Sequence, residues 1–294
     1  ALLVLGHFGM AFEGSGSRQY LESAGQSYLV SAEGRGAGRT ATAGAARMAL
    51  PLGCCVGEGT AIGMGTYERA PDDVLNAWVQ EEGVNGIGPA ALAPYYEQVE
   101  RDHGVAPVPD AAFGSNNSLL ERGASKLGWA GGRLSRGAPG CLGTGVCGYG
   151  CPHDAKQATQ VSYVPGAIAA GAHLYSRARA DRLLLSNGRA FGVAAELLDS
   201  SGRPTGRRLR VVAERVVVAC GALLTPGFLR RSGVAKRSRL LGANLRVHPT
   251  VRVSAVFDEE VRGWEEVPQA SRVRQFADEG IVVHGYFDPP SLAA

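Results

Sequence analysis

Between residues 140 and 158 the chain reads GCLGTGVCGYGCPHDAKQA, which places three of its six cysteines within eleven residues. Thiolates bind soft metals, exchange disulfides and take oxidants, so chemistry is sought here first. Cys141, Cys147 and Cys151 are separated by five and three residues, and His153 follows two positions on. Zinc sites usually pair their ligands in two halves, each with a step of roughly two to four residues. No second half is present, and His153 stands too close to Cys151 to act easily as an independent fourth ligand. The CGYGCP tail does match the end of an iron–sulfur ligand run, and three thiolates suit a small cluster. The alternative is a glycine-rich loop whose thiols are reduced or form one disulfide. Both readings stand at this point. Cys54 and Cys55 are adjacent and expected to pack beside a glycine loop, while Cys220 ends an apolar run as a small hydrophobe.

Two further segments have the makings of a phosphate site. GCCVGEGTAIGMG, residues 53–65, has glycines at 53, 57, 59, 63 and 65. Backbone N–H groups left exposed in such a loop cradle phosphate; an ordinary glycine turn looks the same in sequence. ERVVVACGALLTPGFLRRSG, residues 214–233, reads as an apolar strand, a glycine and a helix N-terminus, which presents free amides and partial positive charge. It is also what an ordinary strand-to-helix turn in an α/β sheet looks like.

The elements that would position these segments follow from periodicity. LLVL, residues 2–5, reads as a buried parallel strand. Residues 12–50 carry little apolar periodicity. Helices are expected over 72–82, with Val74, Leu75, Trp78 and Val79 on one face, and from Pro89, with Leu92, Tyr95, Tyr96 and Val99 as the stripe. A capping box at Ser118 and Glu121 is expected to open a third, with Leu119, Leu120 and Leu127 inward. A short helix is expected at 165–170. Then LYS, RLLLS and AFGVAAELL read as strands, the last two joined by a hairpin at Asn187-Gly188. RLRVV and RVVVAC read as further strands. Thr225 is expected to cap a helix starting at Pro226 and stopping at Gly233. TVRVSAVF alternates as a half-buried antiparallel strand.

With 294 residues and 45% hydrophobic content, the chain can bury a large core. A net charge of +3, with scattered arginines, argues against nucleic acid as a partner. No apolar run approaches the ~18 residues of a membrane span, and the first residues lack the marks of a signal peptide. Glycine, at 42 residues, is about twice its usual share of ~7%, without a collagen period.

Taken together, five segments resemble the glucose-methanol-choline family of flavin oxidoreductases. CVGEGTAIGMG is similar to the family's loop over the flavin pyrophosphate. AGAHLYSRARADRLLLSNGRAFGVAAEL is similar to the segment that passes the adenine, and ERVVVACGALLTPGFLRRSG to the second family signature. LGANLRVHPTVRVSAVFDEEV is similar to the entry into the substrate sheet. CGYGCPHDAKQATQVSYVPGA resembles the branch that contains long-chain alcohol oxidases. The match runs from about residue 53 to the C-terminus, in the family's order.

The resemblance implies an α/β fold: an incomplete Rossmann-like FAD-binding core with the beginning of an antiparallel-sheet substrate domain. It divides the chain into residues 1–70 and 159–245 for FAD, 71–158 as a helical insert with the Cys/Gly-rich loop, and 246–294 as the start of the substrate sheet. The implied cofactor is FAD, held by Gly57, Gly59, Thr60 and Ala61 at the pyrophosphate and flavin, by the backbone of Ala180 at the adenine, and by Gly221 and Ala222 along the same groove. The implied donor is a hydrophobic alcohol that loses hydride to the flavin while a base takes its hydroxyl proton. The electron acceptor stays open. Some dehydrogenases resembling this family carry an iron–sulfur cluster on an insert like 141–151.

Four departures qualify the match. No GxGxxG turn precedes LLVL; Gly6 stands where an acidic ribose ligand is expected; Glu58 interrupts the glycines of the pyrophosphate loop; and Gly63 replaces the loop's usual Asn. The family's catalytic histidine belongs to a C-terminal region, so the chain is expected to be a piece of a longer protein, and no catalytic residue is assigned. His248 belongs to the turn entering the sheet. A remnant that binds nucleotide without turnover is the competing expectation.

Overall fold

The computed structural model describes residues 3–5, 39–41, 49–51, 53, 55–246, 248 and 250–287. In chain order the elements are β1 (Leu3–Leu5), β2 (Arg39–Ala41), β3 (Ala49–Pro51), α1 (Glu58–Ile62), α2 (Asp72–Gln80), α3 (Pro89–Asp102) and β4 (Val105–Pro107). Next come α4 (Asp110–Lys126), β5 (Gly131–Arg133), β6 (Ser135–Gly137), α5 (Tyr163–Ala169), β7 (His173–Tyr175), β8 (Ala178–Ser186), β9 (Arg189–Leu198) and β10 (Pro204–Val212). The last are α6 (Gly221–Arg231), β11 (Ser271–Val273) and β12 (Val283–His284). They fall into two units: Ala1–Glu13, Gly25–Glu58 and Gly166–Val256 form one; Gly14–Ala24, Gly59–Pro165 and Phe257–Ala294 form the other. Gly6 and Cys54 lie outside the described residues, as do most of residues 12–50.

The first unit is built on β1 paired in parallel with β7, Leu3 opposite His173, and on an antiparallel meander β8–β9–β10. The turn between β8 and β9 has Asn187 at φ 49° and Gly188 at φ 77°. Both are left-handed, which is why Asn-Gly stands there and why the hairpin closes in two residues. Asp199 holds the next turn by accepting the N–H groups of Ser201 and Arg203 at 2.8 and 2.9 Å. Those bonds hold its carboxyl below the usual range, the Arg203 N–H first. Against β8 packs α6: the Ser232 hydroxyl accepts the Leu183 N–H at 2.9 Å and donates to the Phe228 carbonyl.

Three expectations fail in this unit. The first turn of α6 begins at Gly221, not Pro226; Pro226 sits inside the helix, while Gly233, at φ 75°, does end it. RVVVAC forms no strand, and Val217 is 84% exposed. TVRVSAVF forms none either, its Val251, Val253 and Val256 lying open to solvent. Alternation makes a segment fit to be a strand, but a strand exists only where a neighbour takes its backbone hydrogen bonds. No described strand pairs with either segment.

The second unit gathers α2 to α4 with the β12–β11–β5 sheet and the β4–β6 pair. Its core is Val108, Ala112, Phe113, Val267 and Ala270. Of the apolar face expected on α2 only Leu75 is buried, and Tyr95 of α3 is 65% exposed. The expected capping box is absent because the third helix begins eight residues earlier than expected, at Asp110; Ser118 lies inside it and donates to the Gly114 carbonyl at 2.6 Å. Leu127 is exposed, and Ala112, Phe113, Asn117 and Ala124 face inward instead.

Gly114 breaks α4 with φ 73° and ψ 177°. A Cβ there would fall 1.3 Å from Glu266 Oε2, so glycine is required for space as well as for conformation. Glu266 is 1% exposed; its Oε1 accepts the Asn116 N–H at 3.0 Å, and Oε2 has no partner among the described residues. Burial pushes its pKa up from 4.5 to about 7 against the pull of that N–H. In the folded state Glu266 therefore keeps its proton after the unfolded chain has lost its own. Stability falls as pH rises from about 4.5 to about 7 and is flat above. The expected loss across that window is roughly 3 kcal/mol at ~1.4 kcal/mol per unit. Urea unfolding at both ends of the window should show a steeper fall in the wild type than in Glu266→Gln; equal slopes refute the assignment.

Candidate cofactor site and the cysteine loop

In the first unit Gly57 ends a reverse turn closed by the Glu58 N–H on the Cys55 carbonyl at 3.0 Å. Gly57 has φ 96° and Glu58 φ 42°. Gly53 packs on this turn so closely that a Cβ would lie 2.1 Å from the Glu58 carbonyl oxygen. Burial pushes the Glu58 carboxyl up. The Cys220 thiol is pushed up as well, first by its own burial and then by the negative charge of Glu58. That coupling places Glu58 beside the start of α6. There, Gly221 and Ala222 are exposed, no side chain caps the helix, and a Cβ on Gly221 would meet nothing within 4 Å. Glu58, next to Gly57, is thus within electrostatic reach of Cys220, the residue before Gly221.

Ala180 sits elsewhere. It pairs with Ala195 on β8, next to a bulge at Asp181, whose carbonyl accepts the Arg231 Nε at 3.4 Å. Arg231 ends α6, so Ala180 lies toward the end of the helix opposite Gly221, about 15 Å along it at 1.5 Å per residue.

The division between the units falls just before Gly59. Gly59 is exposed, with open space where a Cβ would project. The Thr60 hydroxyl meets the Thr159 hydroxyl and accepts its N–H, both at 3.1 Å. Ala61 is 2% exposed and its carbonyl takes the Lys156 ammonium at 2.6 Å, so its side chain supports the loop and offers no face to a ligand. Lys156, itself buried, also donates to Gly63 and Cys147 carbonyls at 2.7 and 2.6 Å. Sequence reasoning missed this clamp. Its only trace was a single lysine among small residues in a glycine-rich stretch.

The three clustered cysteines are half-buried and free. Buried Arg136 stands against two of them, with Nη2 at 3.2 Å from Cys147 Sγ and Nη1 at 3.8 Å from Cys141 Sγ. A guanidinium repels a metal ion, and among the described residues no group of three or more His, Cys, Asp or Glu is placed to hold one. The described residues give the iron–sulfur reading no gathered ligand set: residues 141–151 form a loop held by Arg136 and Lys156.

A sequence profile described as GMC oxidoreductase matches residues 34–250, well over half of the chain. The chain belongs to the GMC oxidoreductase family. FAD is the cofactor of this family, and the mixed helix-and-sheet architecture agrees with the expected α/β class. An uncharacterized GMC-type oxidoreductase of Mycobacterium tuberculosis is 39% identical over 88% of this chain, which spans 40% of that protein. A long-chain-alcohol oxidase of Arabidopsis thaliana is 29% identical over 72% of the chain, which spans 29% of it. A pyridoxine 4-oxidase crystal structure aligns with a TM-score of 0.49 at 18% identity, over 67% of this chain and 41% of its own. The chain thus covers well under half the length of these GMC relatives. No helix among the described residues is long and apolar enough to cross a membrane.

The donor set fits FAD in one respect and opposes it in another. The uncapped, exposed start of α6 offers backbone N–H groups and the positive end of an eleven-residue helix to a diphosphate. Glu58 opposes it by charge, to an extent that burial of its carboxyl reduces.

Proposed function

We propose that the protein is an FAD-dependent oxidoreductase that removes hydride from the carbinol carbon of a hydrophobic alcohol. The flavin, when bound, accepts the hydride. This chain's part is to hold the cofactor: in the first unit the N–H groups at Gly221 and Ala222 take the diphosphate, the Gly57 turn lies along it, and the Ala180 backbone meets the adenine. The separation of Ala180 from Gly221 suits the two ends of an extended dinucleotide. The observation that carries this reading is the exposed, uncapped start of α6. Alcohol as the donor rests on the long-chain-alcohol oxidases among the relatives.

Gly221 supplies the test. Its φ of 75° is one that Asn also adopts, and a side chain there has room. In the full-length protein, Gly221→Asn should retain FAD, whereas Gly221→Asp, of the same shape but negative, should lose affinity about tenfold or more, ~1.4 kcal/mol. Flavin fluorescence on titration reads both. Equal FAD affinity in the two variants overturns the placement, and long-chain alcohol failing to bleach the flavin of the wild type overturns the donor.

Glu58 favours a second reading, a nucleotide-binding protein of the same family without turnover. Dye reduction by any alcohol with the full-length protein excludes it.

A further inference from the structure

Arg136 of β6 is 4% exposed, and no carboxylate among the described residues pairs with it. Its acceptors include no carboxylate: the Met64 carbonyl takes Nε and Nη2, and two cysteine sulfurs take the rest. Five N–H groups belong to a guanidinium. Nε uses its one and Nη2 both of its own, so among the described residues Nη1 is left with a long 3.8 Å contact to Cys141 and one N–H without an acceptor. A buried charge without a counter-charge is costly, and the structure offers a place for one. Beside Arg136 and Cys141 lies a cavity of about 200 Å³. Its floor is Val108 and Val267, both buried, and its rim is Ala106, Pro107 and Pro139, all exposed.

We propose that this cavity binds a short-chain monocarboxylate, with the carboxylate on Arg136 Nη1 and the carbon chain between Val108, Val267 and the rim prolines. One guanidinium calls for a single negative charge, and the apolar walls call for a hydrocarbon body. At ~30 Å³ per water-sized volume, the space suits roughly six or seven non-hydrogen atoms, the size of butanoate. Fumarate-like dianions would leave a second charge against valine and proline. The site lies wholly within the second unit and is independent of the flavin reading.

Cys141 provides the readout because it lines the cavity and faces Nη1. In the full-length protein, alkylation of Cys141 by N-ethylmaleimide is followed by peptide mass spectrometry with butanoate, butan-1-ol or sodium chloride at matched concentration. With a Kd near 1 mM, butanoate at about 10 mM should slow Cys141 labelling about tenfold. Cys151, outside the cavity, should label at an unchanged rate. Ala106→Phe, opposite Arg136 across the β4–β6 pair, fills the cavity mouth over the guanidinium and should abolish the effect of butanoate. Unchanged Cys141 labelling, equal protection by butan-1-ol or chloride, or persistence of protection in Ala106→Phe overturns the proposal.

Discussion

Asn117→Ala is expected to destabilise the unit containing α4 and β11 by roughly 4 kcal/mol, on a scale of about 1–3 kcal/mol per buried polar group left unpaired. Asn117 is fully buried and uses every hydrogen bond its amide can make. Its Nδ2 donates to the Phe113 and Val267 carbonyls at 3.0 and 2.8 Å, and its Oδ1 accepts the Ala270 and Ser271 N–H groups at 2.9 and 3.1 Å. One side chain therefore stitches a helix to the entry of β11 across about 150 residues of sequence. Removing it strands two donors and two acceptors among Val108, Phe113 and Val267, where water has little access. Gly285 completes the joint, since a Cβ there would sit 2.6 Å from Asn117 Oδ1. Urea unfolding measures the loss; a change under about 1 kcal/mol would mean that these bonds do not hold the unit together.

What the sequence disclosed and what it hid divide along a physical line. Local instructions were legible. Asn187-Gly188 demands a two-residue hairpin, Pro89 opens α3, and Gly233 closes α6. Each acts through the backbone of its own neighbours, so no distant residue can overrule it. RVVVAC and TVRVSAVF misled because a strand is a relation between two segments, and only one member of the relation is visible in a sequence window. The start of α4 was misplaced for a similar reason. Ser118 and Glu121 have the spacing of a cap, but Asp110 already starts the helix, and the irregularity lies at Gly114, where the Glu266 side chain occupies the missing Cβ position. The candidate site shows the same split. The glycines proposed for the cofactor stand out in the sequence by type and spacing. The buried cations of the second unit do not, because Arg136 and Lys156 look like ordinary surface charges until the fold buries them. The cysteines stayed ambiguous: three thiols close in sequence suit a ligand set or a plain loop, and only in space does a guanidinium stand beside two of them.

Lys156→Met is expected to cost about as much as the loss of Asn117, roughly 4 kcal/mol, because hydrogen bonds to a charged group contribute about 1.5–3 kcal/mol each. Methionine matches the lysine stem in length and apolarity, so packing survives and the ammonium alone is lost. Three carbonyls, those of Ala61, Gly63 and Cys147, then stay buried without this donor. Two of them end or follow α1, where a cation also complements the helix dipole. Its absence should let the turn from Gly59 to Gly63 fray before the rest of the unit unfolds. That separates the two variants. Asn117→Ala weakens the joint between α4 and β11, so under conditions where it stays folded the amides of Gly59 to Gly63 should exchange hydrogen as in the wild type. Lys156→Met loosens the loop itself, so exchange there should speed about tenfold, ~1.4 kcal/mol of local opening, while circular dichroism still reports a folded protein. Equal exchange at Gly59 to Gly63 in the two variants would mean that Lys156 does not hold this loop.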